Sequence, residues 1–167
     1  MNTKPSSTRP YITIGEYFDK DFLLDVFDAH QSKLKKYKAK DTSGNIVAKR
    51  DYYEMYFSYD EGKDIFDTPP CRGYQYVWMP PKYEMVIHKD ISFIKCRIGT
   101  LLEGSASIIF YNDDLKQIGE YNYKEDILTN VQVMHNVINN DEWRLTFFAN
   151  FEEPIDVIRH KIHNSVR

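Results

Sequence analysis

The sequence has only two cysteines, Cys71 and Cys96, and neither belongs to a Cys-x-x-Cys pair. That excludes zinc ribbons and thioredoxin-like redox sites, and it fits free thiols in a reducing compartment. No apolar run approaches the roughly 18 residues of a membrane span. The first ten residues carry no apolar signal core, and no Asn-x-Ser/Thr sequon occurs. The expected location is the cytoplasm, or a virion if the protein is viral, with no membrane partner. A basic excess is also missing. Lys and Arg number 22 against 25 Asp and Glu, a net charge of −3, which argues against nucleic acid as a partner of the whole surface. Glycine is scarce, with 7 residues, and this weighs against a loop-rich sandwich. There is no internal repeat.

Aromatic residues are abundant by contrast. They make up 15% of the chain, and 13 of them are tyrosines. Tyrosine suits half-buried sheet positions and interfaces, because its ring packs while its hydroxyl stays wet.

Residues 1–10 are polar and proline-bearing, and read as a flexible tail. Residues 11–167 read as a single globular domain, at a length that buries roughly 70% of the unfolded surface. Phe18, Phe22, Val26 and Leu34 recur at steps of four or eight. With acids at the start and lysines at the end, they predict a helix from about Asp19 to Tyr37, with Asp19 or Asp21 as N-cap. A competing pattern exists at its end, where Lys36 to Lys40 alternates and would pair with Ile46 to Arg50. Asp41 to Asn45 is a break or turn.

Tyr52 to Tyr59 reads as a strand. Pro69-Pro70 and Pro80-Pro81 bracket an aromatic stretch, Tyr74 to Trp78, and mark strand ends or an edge. Tyr83–His88, Ile91–Leu102, Ser105–Tyr111, Gln117–Tyr123, Asn130–Asn136 and Glu142–Phe148 follow as successive strands. The short connections between them favour antiparallel pairing. Pro154 opens a last helix, with Ile155, Ile158, Ile162 and Val166 on one stripe. The expected fold is therefore α+β: one mainly antiparallel sheet, as a sandwich or strongly curved, with a helix near each end. The alternative is an all-β, jelly-roll-like sandwich. The stretch Ser105 to Gly119 resembles the strand–turn–strand of jelly-roll binding modules.

Candidate chemistry is sparse. Asp25, Asp28 and His30 cluster on the first helix, where a solvated polar face explains them. Glu84, His88 and Asp90 fall on one side of their strand by alternation, as a general base or metal pair would require. They lack an identifiable third group. Asn112-Asp113-Asp114 is either a cation-binding strand end or a tight turn. The basic runs Lys33–Lys40 and Arg159–Arg167 are explained by helix dipoles. Cys96 reads as an inert sheet residue and Cys71 as the more accessible thiol. Tyr74, Tyr76, Trp78, Tyr83 and Trp143 are the candidate binding residues, an aromatic platform on a rigid, proline-flanked edge.

No catalytic or metal residue is assigned and no cofactor is expected. The leading expectation is a non-catalytic protein-binding or assembly protein, such as a viral or phage structural component, an adaptor or an inhibitor. Its partner would be another protein or a further copy of itself. Two alternatives stand beside it. One is a small-ligand or glycan-binding module. The other is a metal-dependent hydrolase or nuclease built on Glu84, His88 and Asp90 or Asp113.

Overall fold

The computed structural model describes residues 9–40 and 45–165. Most of the expected N-terminal tail, the turn at 41–44 and Val166 lie outside the described residues.

Among the described residues, ten strands form two sheets in which every pairing is antiparallel. In chain order they are β1 (Tyr11–Gly15), β2 (Lys35–Lys40), β3 (Ile46–Ser58), β4 (Gly73–Met79), β5 (Cys96–Glu103), β6 (Ala106–Tyr111), β7 (Gln117–Asn122), β8 (Asp126–Asn130), β9 (Met134–Asn139) and β10 (Arg144–Phe151). The large sheet runs β1-β8-β5-β10-β4-β3-β2, and the small one β7-β6-β9. Three α-helices join them: α1 (Lys20–Ala29), α2 (Tyr59–Gly62) and α3 (Ile155–Ser165). The expected sandwich of antiparallel sheet with a helix near each end is the observed architecture.

The large sheet is covered on both faces. Strand β10 is buried at all its positions, and its residues divide by alternation. Leu145, Phe147, Ala149 and Phe151 enter one core with Leu23, Val26 and Phe27 of α1 and Ile155, Ile158 and Ile162 of α3. Phe148 enters a second core between the two sheets, with Val77, Met79, Ile108, Phe110 and Val137. Each fully buried apolar side chain contributes about 1.5–3 kcal/mol, so both layers weigh heavily in stability. The cavity described below opens beside the second core.

Local signals place the helix starts. The Asp19 carboxylate accepts from the Phe22 N–H at 3.1 Å and caps α1. The predicted extent to Tyr37 is too long. The helix stops at Ala29, and a short 3₁₀ turn (Gln31–Lys33) leads into β2. Cross-strand pairing wins there: Lys36 faces Tyr53, Tyr37 faces Tyr52 and Lys38 faces Asp51. The alternating pattern was the better guide because it belongs to an edge strand with a partner. The stripe Ile155, Ile158, Ile162 does face the core, as expected.

Three strand assignments also change. Tyr83–His88 makes isolated bridges, not a ladder. The strand predicted from Ile91 begins only at Cys96. Asn130–Asn136 is two strands, β8 and β9, with a turn between them. Nor is β4 an edge, because it lies between β10 and β3. The proline pairs sit outside its limits, so no ladder hydrogen bond is lost to them.

Candidate metal centre

The segment from Tyr83 to Asp90 crosses β9 of the small sheet, with Glu84 opposite Ile138 and His88 opposite His135. The His88 and His135 backbones exchange two hydrogen bonds, each 2.9 Å. The Asp90 N–H donates to the Val131 carbonyl at 3.1 Å. The side-chain amide of Gln132 then ties down the loop that follows, reaching the carbonyls of Ile91 at 3.3 Å and Ile94 at 2.6 Å. Strand pairing and this amide together bring three side chains to one place.

Those side chains are His88, Asp90 and His135, whose donor atoms all lie within 4.8 Å of one another. His88 Nδ1 is 2.8 Å from the Val86 carbonyl, and His135 Nδ1 is 2.9 Å from the Val133 carbonyl. A carbonyl only accepts, so each Nδ1 carries a proton, and in the neutral ring the Nε2 presents a lone pair. Both Nε2 atoms face the same oxygen, Asp90 Oδ1, at 3.4 Å and 3.7 Å. Ring orientation by backbone carbonyls is the usual outer support of metal-binding histidines. These separations leave room for a cation held at about 2.0–2.2 Å from nitrogen and oxygen ligands. The donor set therefore fits a transition metal.

Charge at the cluster follows the same logic. Burial pushes the Asp90 carboxyl up, but the Arg97 guanidinium and the two imidazole rings, which are protonated in the acid range where the carboxyl titrates, outweigh it and hold the group well below the usual carboxylate range. Burial lowers the pKa of His135, and the nearby Asp90 charge only partly opposes this. The site thus keeps an ionised carboxylate beside a neutral His135, the protonation states in which both bind metal.

The cluster opens into a cavity of about 270 Å³ between the sheets, with Val77, Met79, Val137 and Phe148 as apolar walls. Arg144 of β10 projects into it. This guanidinium is 1% exposed; its Nε donates to Thr146 Oγ1 at 2.8 Å, while its Nη1 has no partner among the described residues. Burial depresses its pKa, and the nearby Tyr123 and Tyr83 phenols oppose that. The hydroxyls of Tyr83 and Tyr123 are likewise buried and unpartnered. Burial pushes Tyr83 up to about 12 and raises Tyr123 as well, so both stay protonated donors at neutral pH. A buried cation with spare donors around it is costly unless an anion completes it.

The five aromatic candidates do not form one platform. Tyr74 and Tyr76 are fully buried in the helix-side core, where the Tyr74 hydroxyl meets Thr68 at 2.9 Å and that of Tyr76 donates to the Leu23 carbonyl at 2.8 Å. Tyr83 lies in the other core, near Arg144. Trp78 and Trp143 pair at 4.6 Å beside Tyr53, and only Trp143 is exposed. Alternation puts Tyr74, Tyr76 and Trp78 on the helix-side face of β4, whereas Tyr83 lies beyond the strand and enters the other core.

His88 and Asp90 meet as the strand alternation implied. Glu84 does not join them; it lines a separate groove with Lys38, Arg50 and Lys82. Asp113 is exposed and pairs with Lys89 at 3.4 Å, and the neighbouring Asn112 side chain closes the turn by accepting from the N–H groups of Asp114 and Lys116. Lys33 and Lys36 are drawn into ion pairs with Glu61 and Asp51. Cys96 is buried, its thiol pushed up to about 12 by burial and Glu153. Sequence reasoning missed His135 and Arg144. The available signal was a His-x-Asp followed by an isolated histidine in a later strand, with an arginine nine positions further on.

No family model matches the chain, and no curated protein matches its sequence. Solved structures share its fold. An oxidoreductase of the 2OG-Fe(II) oxygenase family from Burkholderia pseudomallei is 13% identical, with a TM-score of 0.53 over 86% of this chain and 85% of its own. A prolyl-4-hydroxylase from Pseudomonas putida is 11% identical, with a TM-score of 0.56 over 87% of this chain and 93% of its own. The jelly-roll-like alternative fits such neighbours. The expectation of a non-catalytic binding, assembly or viral structural protein is overturned, since the chain shares its fold with enzymes. That expectation rested on an apparent lack of catalytic groups, because the third member of the cluster is distant in sequence.

Proposed function

We propose that this chain is a mononuclear non-haem iron(II) enzyme that takes a 2-oxo acid as co-substrate. One observation carries the reading: His88, Asp90 and His135 present two imidazole nitrogens and one carboxylate oxygen to a common point. Two histidines and one carboxylate with open positions are the ligand set of non-haem iron(II) oxygenases. The shared fold with a 2OG-Fe(II) oxygenase and a prolyl-4-hydroxylase supports it.

When bound, iron(II) would supply the redox chemistry that dioxygen requires. The chain does the rest. His88 and His135 hold the metal through Nε2, and Asp90 through Oδ1. Arg144 takes the far carboxylate of the 2-oxo acid in a charge-assisted contact, with the Tyr83 and Tyr123 hydroxyls donating beside it. Val77, Met79 and Phe148 keep water from that buried end. Of the readings open from sequence, the small-ligand binder is absorbed here, while the metal-dependent hydrolase or nuclease keeps only its metal, without Glu84 or Asp113 and with redox chemistry in place of hydrolysis.

The test is oxygen uptake by protein loaded anaerobically with iron(II) and given 2-oxoglutarate. The wild type is expected to consume oxygen only when both are present, and His135→Ala to consume none. Uptake that is the same with and without 2-oxoglutarate would refute the proposal, as would equal uptake by His135→Ala.

A further inference from the structure

We propose that Arg97 is a positioning residue of this centre: it occupies one oxygen of Asp90, so the carboxylate offers only the other to a metal. The inference rests on the metal centre proposed above. Arg97 lies on β5 of the large sheet and lines the same cavity as Asp90. Its Nη2 forms an ion pair with Asp90 Oδ2 at 2.8 Å, at an angle that makes no hydrogen bond, whereas both imidazole Nε2 atoms face Oδ1. The arginine is itself held, with its guanidinium carbon 5.4 Å from the centre of the Phe148 ring and its side chain 22% exposed.

Two consequences separate this role from simple charge balance. A carboxylate free to rotate could give a metal both oxygens, filling a position that a co-substrate or dioxygen needs. With Oδ2 engaged by Arg97, Asp90 binds through one oxygen and that position stays open. The sign of the effect on affinity is diagnostic as well. A guanidinium near a divalent cation repels it, so an arginine that merely balanced charge would weaken metal binding, and its removal would tighten it. An arginine that holds the ligand in place has the opposite effect, and losing such outer support usually costs about 10–100-fold in metal affinity.

Cobalt(II) is the probe, with affinity measured by calorimetry and coordination by visible absorption on the full chain. Arg97→Ala is expected to weaken Co²⁺ binding by about tenfold or more and to change its ligand-field bands. Arg97→Lys, which restores a cation opposite Oδ2, is expected to recover most of the affinity. Urea midpoints of the metal-free proteins check folding, and Arg97→Gln carries the comparison if the alanine variant does not fold. Wild-type binding of Co²⁺ with Arg97→Ala binding as tightly or more tightly, and with an unchanged spectrum, would overturn the proposal while leaving the metal centre standing. A wild type that binds no Co²⁺ would overturn the centre and this role together.

Discussion

His88 and His135 sit opposite one another across an isolated antiparallel bridge, with their rings 4.6 Å apart and their backbones joined by two hydrogen bonds of 2.9 Å. The bridge fixes the spacing of the two imidazoles through the main chain. Their positions therefore do not depend on a metal to draw them together, and a site preorganised in this way binds without reordering a loop.

Arg144 tests the cost of the buried cation. Its Nη1 is buried with no partner among the described residues, and replacing buried ionic groups by apolar ones is often stabilising, by about 1 kcal/mol or more. Arg144→Met should raise the melting temperature of the ligand-free protein by roughly 2–4 °C. It should also abolish the extra stabilisation that 2-oxoglutarate gives to the metal-loaded wild type. A melting temperature lowered by several degrees would instead assign Arg144 to the fold.

Glu61 sets an acid-side dependence. Its carboxylate accepts from Lys33 Nζ at 2.8 Å and from the Ser58 N–H at 2.8 Å, completing the capping box of α2. The Lys33 contact first, then the Ser58 bonds, lower its pKa from 4.5 to about 2. A depressed carboxyl contributes stability above its unfolded value and loses it as pH falls through the folded one. The advantage of wild type over Glu61→Gln in urea unfolding should thus be full at neutral pH and fade as pH falls from 4.5 to about 2. The pair is exposed, so salt should shrink the advantage. A gap unchanged in acid would count against the ionised cap.

Gly104 joins the two sheets at the β5–β6 turn. Its φ is +79°, and a Cβ there would collide with the Trp143 carbonyl oxygen and press on the Arg144 backbone. Gly104→Ala should therefore cost about 1–3 kcal/mol in denaturant unfolding. The same substitution should weaken 2-oxoglutarate stabilisation, since it pushes on the residue that would hold the carboxylate. An alanine variant as stable as wild type would show that the turn relaxes freely.

Much of the frame was legible from local pattern. Asp19 caps α1, Ile155, Ile158 and Ile162 face the core, and alternation puts His88 and Asp90 on one side. Each depends on neighbours a few residues away, which a sequence displays directly. The length of α1 was misjudged where two local patterns overlap. Lys35 to Lys40 satisfies either, and its pairing with β3 decides the outcome.

By itself the sequence determined the antiparallel character of the sheet, a helix near each end and two of the three cluster residues, because periodicity and capping are local interactions. Only the tertiary structure decided that His135 completes the cluster and that Arg144 lines the same cavity. His135 reaches Asp90 through a bridge between two separate segments. Arg144 begins a strand buried on both faces, where apolar alternation carries no information about which side meets the cavity. Closure of one sheet over the other settles that, and closure is a long-range event.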